Sequence, residues 1–392
     1  RIREEYAAKE DYQQAVSIGF AKAWSSIRDS NYSSLITCAI LYFFGSSMIR
    51  GFALNLALGI YISMFSAIII TKGLMQSVNP SKKTLSKWFR LSDKFEHKNF
   101  KFIENQKITS GISIALVVAS LISIFAQGLN LGIDFTGGSV LEIASNKEVS
   151  QTQMQATLDK FNESRELKSA SVITIDENAF QIKTDYLTEE NYSALIDTIE
   201  NETESEITEN KFETVGPSVS ESLKSKAIVS LLIAIIAIIL YIAISFRKIP
   251  RRMQPIKFGY AAIIALCHDA IIIMGIFSFF QLEINSLFIT ALLTVIGFSV
   301  HDTIVVFDRL RENLIHKKTD SVVKIANTSL SQTLSRSLNT SISTLLTLGA
   351  LYFLGAESLK NLNLALLLGI AVGTYSSIFI ATTSLLKISK QK

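Results

Sequence analysis

The sequence predicts a polytopic α-helical membrane protein that carries one α+β domain outside the bilayer, and three observations predict it. Hydrophobic residues make up 48% of 392 positions and gather into runs long enough to span hydrocarbon. Between residues 129 and 222 the apolar pattern instead mixes strand and helix periods. The net charge of +4 conceals −13 in that segment, where nineteen Asp and Glu face six Lys and Arg, which leaves +17 for the remainder.

Eight stretches have membrane-spanning length: Ser34–Ile49, Phe52–Ile70, Ile108–Gln127, Ile228–Phe246, Phe258–Phe280, Ile284–Phe307, Leu338–Leu354 and Leu362–Leu386. Lys72–Lys107 holds nine Lys and Arg against three acids, and Arg247–Lys257 holds five with no acid. Basic loops stay in the cytoplasm, so alternation places the acidic segment and the turns Gln281–Glu283 and Ala356–Lys360 outside. Cys38 and Cys267 both fall in apolar runs and read as small buried hydrophobes, neither a disulfide nor metal ligands.

Taken in order, Arg1–Ser30 has apolar Ala15, Val16, Phe20, Ala23, Trp24 and Ile27 at helical spacing and is expected to be an amphipathic cytoplasmic connector. In the basic stretch Leu85, Trp88, Phe89, Ser92 and Phe95 line one side of an expected helix along the inner leaflet, with Lys and Arg toward anionic lipid headgroups. The third span leads into Gly132-Ile133-Asp134-Phe135-Thr136-Gly137-Gly138, a glycine-rich exit from the membrane. Gly137 and Gly138 permit a tight backbone path, and no phosphate loop follows. Asp134 reads as a turn or capping residue as readily as a functional one. Strand Ser139–Ala144, helix Glu148–Phe161, a hairpin of Ser169–Ile175 and Phe180–Thr184 around Asp176-Glu177-Asn178, helix Glu189–Ile199 and strand Glu206–Thr214 give the order βαββαβ of a ferredoxin-like split fold.

An internal repeat relates the two ends. Arg1-Ile2-Arg3-Glu4 recurs as Arg309-Leu310-Arg311-Glu312, and at the same offset of 308 Arg28, Asn31 and Ser33 match Arg336, Asn339 and Ser341. After a two-residue insertion, Leu41-Tyr42-Phe43 matches Leu351-Tyr352-Phe353, and Gly45, Gly59, Ile60 and Ser66 match Gly355, Gly369, Ile370 and Ser376. Residues 1 to about 76 are thus expected to end one repeat and roughly 100–392 to form a complete second. The expectation for the intact protein is about twelve spans, with an acidic residue seven positions before Arg1.

The chemistry centres on Gly297–Asn313. Asp302 lies about 9 Å inside the point where charges resume, at ~1.5 Å per helical residue. Burying a carboxylate in hydrocarbon costs at least ~2.5 kcal/mol, so its presence points to function, against the plainer reading of a helix-packing aspartate. Arg336, just before the fifth of the spans that follow residue 100, is the expected ion-pair partner, its alternative being a positive-inside anchor. His301 is either a proton relay or a histidine hydrogen-bonded between helices. His268 and Asp269 in the neighbouring span are secondary candidates. A metal held by the two His-Asp pairs lacks a further ligand cluster.

Several separate motifs in order then carry a family resemblance. Asp134-Phe135-Thr136-Gly137-Gly138 after a span, Val215-Gly216-Pro217 before the next, His268-Asp269 in the third, and Asp302-Thr303 through Phe307-Asp308-Arg309 and Arg311-Glu312-Asn313 ending the fourth resemble SecF. Arg1–Gln76, with Gly51-Phe52-Ala53-Leu54, resembles the end of SecD. Where the family commonly has Asn before the membrane aspartate, this chain has His301. The resemblance implies a fused SecDF arrangement of the resistance-nodulation-division superfamily. Residues 1–76 would close a SecD-like transmembrane repeat with two spans, 77–107 form a basic amphipathic cytoplasmic linker, and 108–128 the first SecF-like span. Residues 129–222 would be the extracytoplasmic α+β domain, and 223–392 five further spans with cytoplasmic loops.

The resemblance also implies a motor of the bacterial plasma (inner) membrane, driven by the proton-motive force through an aspartate and an arginine matching Asp302 and Arg336. It would promote export of unfolded polypeptides through SecYEG, with YajC-like and YidC-like membrane proteins as further partners. No covalent chemistry, cofactor or nucleic-acid partner is expected. The rivals are a small-molecule or lipid exporter of the same superfamily, for which an outer segment of about 94 residues is small, and a passive scaffold, which has no need of Asp302.

Overall fold

A computed structural model describes residues 2–9, 11–78, 80–81, 84–85, 102–165, 170–176, 178–247, 253–316 and 320–389. Its contacts divide the chain into two compact units. One comprises Arg1–Leu129, Val229–Leu282 and Leu287–Lys392, the other Asn130–Ile228 with Glu283–Ser286.

The first unit is helical. Helix α1 (Ile2–Lys9) is followed by α2 (Tyr12–Phe44), whose start Asp11 caps by accepting from the N–H groups of Gln13 and Gln14. Helices α3 (Ser47–Phe65) and α4 (Thr71–Ser77) run through a π turn at Ser66–Ile70. Helix α5 (Gln106–Gln127) follows the basic stretch. Of that stretch, Leu85 is buried against Tyr12 and Val16, whereas Trp88, Phe89, Ser92 and Phe95 lie outside the described residues.

The N-terminal reading needs correction. Expected connector and expected first span are one 33-residue helix, α2, which ends at Phe44 rather than Ile49. The break falls at Gly45, where the backbone turns extended (φ −73°, ψ 160°) and a Cβ would stand 2.4 Å from the Leu41 carbonyl oxygen. Among the described residues, seven helices have the length and apolarity to cross a membrane: Ser47–Ser77, Gln106–Gln127, Pro217–Ser245, Pro255–Phe279, Ser286–His316, Val322–Leu354 and Glu357–Ile388. The Ser34–Ile49 stretch is not among them, since polar residues such as Arg28 and Asp29 share its helix.

In the second unit, a four-residue helical turn α6 (Ile133–Thr136) leads into β1 (Gly138–Ser145). Helix α7 (Gln151–Arg165), strands β2 (Ala170–Asp176) and β3 (Ala179–Thr184), helix α8 (Glu189–Thr203) and β4 (Ile207–Val215) complete it. The sheet order is β2-β3-β1-β4 with every neighbouring pair antiparallel, so βαββαβ closes as the split fold the sequence suggests. Alternation along β1 and β3 sends Leu141, Ile143, Phe180 and Ile182 inward, where Met154, Leu158, Leu195 and Ile199 from the two helices cover them.

The remaining helices are α9 (Pro217–Ser245), which enters the first unit at Val229, α10 (Pro255–Phe279), α11 (Ser286–His316), in the first unit from Leu287, α12 (Val322–Leu354), then α13 (Lys360–Ser376) and α14 (Thr382–Ile388) joined by a second π turn, Ser377–Ala381. The apolar stretch of α11 is 78% buried, against 6% for Ser47–Ser77, which makes α11 the inner helix. Small residues let it be approached closely. A Cβ on Gly297 would stand 2.9 Å from Thr37 Oγ1 of α2, and one on Gly369 of α13 only 2.2 Å from Val295 Cγ2.

The repeat is visible in the backbone. Helices α2 and α12 both have 33 residues, α2 beginning at Tyr12 and α12 at Val322, and each is followed by a helix broken by a π turn. Gly45 and Gly355 close the equivalent ends by the same N–H to Leu carbonyl bond. Both ends of the long helices are related by 310, so the two-residue shift belongs to the connection before them and not to their interior. Arg309 joins the repeats directly: its guanidinium donates to Glu4 (2.9 Å) and Glu312 (3.0 Å), the two glutamates that the sequence pairs.

Candidate functional site

Asp302 sits midway along α11 and is 4% exposed. Its Oδ2 is buried without a hydrogen-bond partner, which is costly for a polar atom in the interior. Arg336 lies within α12 rather than before a span, because the helix begins at Val322. It is near enough for its charge to act on both Asp302 and His301, yet it donates nothing to Asp302 Oδ2. The two charges lie within electrostatic reach of each other, but the two-bond pairing is not formed.

His301 makes no hydrogen bond to any described residue, which corrects the reading of a histidine bonded between helices. It stacks on Phe298 at 6.1 Å and lines a cleft of about 190 Å³ between α2, α3 and α11, with Asn31, Thr37, Ile60 and Thr294.

The pair ranked second in the sequence is the better connected. Asp269 is 1% exposed. Its Oδ1 meets His268 Nδ1 at 2.9 Å, while its Oδ2 accepts from Ser299 Oγ of α11 and Ser376 Oγ of α13, each at 2.8 Å. Next to it, Ser377 Oγ donates to the Ser299 carbonyl oxygen and receives from Thr303 Oγ1 at 3.1 Å. Gly373 leaves room, since a Cβ there would lie 3.1 Å from Ser299 Cβ and 3.6 Å from Asp269 Oδ2. Buried hydroxyls thus lace α10, α11 and α13 together one turn from Asp302. Sequence reasoning missed Ser299, Thr303, Ser376 and Ser377; their signal was Ser and Thr at i, i+4 spacing on α11 and a serine pair inside an apolar run. Among the described residues no three His, Cys, Asp or Glu side chains group as a metal site.

The glycine-rich exit has a structural task. Asp134 Oδ2 accepts from the N–H (2.8 Å) and Oγ (2.5 Å) of Ser286, the first residue of α11. Gly132 N–H donates to the Ile284 carbonyl, and Ile284 N–H to that of Asn130. Phe135 is half-buried, and Thr136 Oγ1 bonds the Gly132 and Gly137 carbonyl oxygens. Gly138 has φ +116°, and a Cβ there would meet the Thr184 carbonyl oxygen at 2.5 Å, so only glycine fits. Of the two readings of Asp134, this geometry matches the cap. Asp134→Ala should lower unfolding stability by about 1 kcal/mol, as loss of an N-terminal cap does. Asp134→Ser should recover most of it in thermal melts of the detergent-solubilised protein.

Helices long enough to span a bilayer, a buried carboxylate with one unpartnered oxygen on the innermost of them and a small split α+β unit together define a multi-pass membrane protein with charged groups built into its bundle. The family described as "Protein export membrane protein SecD/SecF, C-terminal" matches residues 195–391, and the "SecD/SecF GG Motif" matches 122–149. The chain belongs to the SecD/SecF family. It is 32% identical to the protein translocase subunit SecDF of Thermus thermophilus over 97% of this chain and 50% of that protein. Against the protein translocase subunit SecF of Thermobaculum terrenum it is 39% identical over 71% of this chain and 90% of that protein. The crystal structure of the translocon-associated membrane protein SecDF from Thermus thermophilus superposes with a TM-score of 0.84 at 32% identity, covering all of this chain and 52% of that one. The chain thus spans about half the length of the SecDF relatives it matches.

Proposed function

We propose that this chain is the SecF-like part, with the preceding end of a SecD-like repeat, of a plasma-membrane subunit that uses the proton gradient to promote polypeptide export through a SecYEG-type translocon. In this reading residues 1–76 end the SecD-like repeat, 77–107 link it in the cytoplasm, and 108–392 are SecF-like, with 129–222 on the outer side. The observation that carries it is Asp302, a buried carboxylate with an unpartnered oxygen on the inner helix, within electrostatic reach of Arg336. Proton binding from outside neutralises Asp302 and weakens its attraction to Arg336; release inward restores it, and the helices repack between the two arrangements. One charge crossing ~100 mV supplies about 2.3 kcal/mol, enough to bias such a change.

The α+β unit is the element that meets the emerging polypeptide. Vesicles holding the translocon and the full-length protein, with an imposed proton gradient, test both steps. A protonophore should abolish the stimulation of late-stage export, and so should deletion of residues 145–210, while the deletion variant still inserts because its basic loops are intact. Stimulation indifferent to the protonophore rejects the proton-driven reading, and full activity of the deletion variant rejects the role of the α+β unit.

A further inference from the structure

We propose that His268 Nε2 is a second proton-accepting site in the bundle, oriented by Asp269; this rests on the proton-driven reading above. Asp269 has both carboxylate oxygens engaged as acceptors, Oδ1 toward His268 Nδ1 and Oδ2 toward two serine hydroxyls. A carboxylate held in this way fixes the proton of a neutral imidazole on Nδ1 and leaves Nε2 as a free lone pair. His268 is 7% exposed, and its Nε2 is buried with no hydrogen-bond partner, the state of a base that is oriented and not used for packing. Were Nε2 the protonated atom, an N–H donor would be left orphaned in the interior, which folded proteins rarely tolerate.

Charge balance favours uptake at this place. An aspartate beside a neutral histidine leaves one negative charge in the bundle, and adding a proton to Nε2 converts the pair to an ion pair of zero net charge. Tyr375 of α13 lies beside the ring, centroids 6.4 Å apart and planes at 26°, tethered through its own OH to the Thr109 carbonyl and Ser113 of α5.

The ionisable groups on the elements packed against α10 are few. Helix α5 carries Lys107 in its first turn, α9, whose Ile239 packs on Gly259, carries Glu221, Lys224 and Lys226 in its first three turns and Tyr241 near its end, α13 carries Lys360 at its start and Tyr375, α14 carries Lys387 near its end, and the π turn between α13 and α14 carries none. On α10 itself Cys267 and Asp269 adjoin His268. Helix α11 brings His301 and Asp302, two and three residues beyond the serine that bonds Asp269, with Asp308, Arg309, Arg311, Glu312 and His316 farther along. A charge change at the pair therefore acts on the same α11 to α13 contact that flanks Asp302.

The test is imidazole nitrogen NMR on the full-length protein in lipid nanodiscs, with His268 assigned by its loss in His268→Gln. The His268 Nε2 signal should move from the unprotonated to the protonated position as pH falls, while Nδ1 stays protonated throughout. An Nε2 signal that does not change with pH overturns the proposal, as does a titrating signal in which Nδ1 is the atom that loses the proton. In gradient-loaded vesicles His268→Gln, which can still donate to Asp269 but cannot carry a proton, should lose most of its proton flux; wild-type flux in this variant also overturns it. The two readings fail separately. A silent His268 together with an inactive Asp302→Asn rejects the second site and keeps the first, whereas a titrating His268 with normal flux in Asp302→Asn rejects the first and keeps the second.

Discussion

Asp302→Asn is expected to leave the bundle assembled and to stop gradient-driven proton flux and late-stage export together. The change keeps size and shape, and since Oδ2 has no hydrogen-bond partner, no bond at that atom is lost. What disappears is the ability to gain or lose a proton at working pH. Arg336→Lys should do nearly as badly. The guanidinium acts on Asp302 by charge in the present arrangement, and closing on a deprotonated carboxylate calls for its planar fork, which forms two parallel hydrogen bonds where an ammonium offers a point charge. Proton flux and export would be measured for both variants beside the wild type in reconstituted vesicles. Wild-type behaviour of Asp302→Asn sinks the mechanism outright. A fully active Arg336→Lys reduces Arg336 to a point charge whose planar fork plays no part.

Sequence pattern located Asp302 because a charge inside an apolar run is conspicuous, and it located the split α+β unit because strand alternation there is clean. Strand β1 exceeds its expected bounds by one residue at each end. The helix boundaries were harder to read for a physical reason. Hydropathy separates wet from oily residues, not helix from helix, so the polar first half of α2 was divided from its apolar second half although the backbone bonds run through both. The π turns were equally invisible, since neither Ser66–Ile70 nor Ser377–Ala381 contains Gly or Pro. The hydroxyls around Asp269 were hidden by chemistry: a serine in an apolar span lowers hydropathy little, and only the crossing of three helices shows that Ser299 and Ser376 point at one oxygen. His301 departed from expectation because its neighbour is a cleft and not a helix face.

That crossing is also where a very small substitution should have a large effect. Gly369→Ala adds one methyl to α13 at a point where it would stand 2.2 Å and 2.7 Å from the two γ carbons of Val295 and 3.0 Å from its Cβ. A β-branched side chain on a helix has one favoured rotamer and cannot swing aside, and Val295 is itself buried, so the helices must separate. Overpacking of this kind costs roughly 1–3 kcal/mol. Two turns along the same face of α13 the separation reaches Ser376 and Ser377, which bond Asp269 and Thr303, so proton flux should fall with stability. Gly349→Ala is the control: nothing lies within 4 Å of a Cβ there, and replacing glycine inside a helix gains up to about 1 kcal/mol. Thermal unfolding in detergent should rank Gly349→Ala at or above wild type and Gly369→Ala below it, with Val295→Ala restoring part of the loss in the double variant. If Gly369→Ala melts with the wild type, α13 does not approach α11 as closely as described, and the serine bridges to Asp269 go with it.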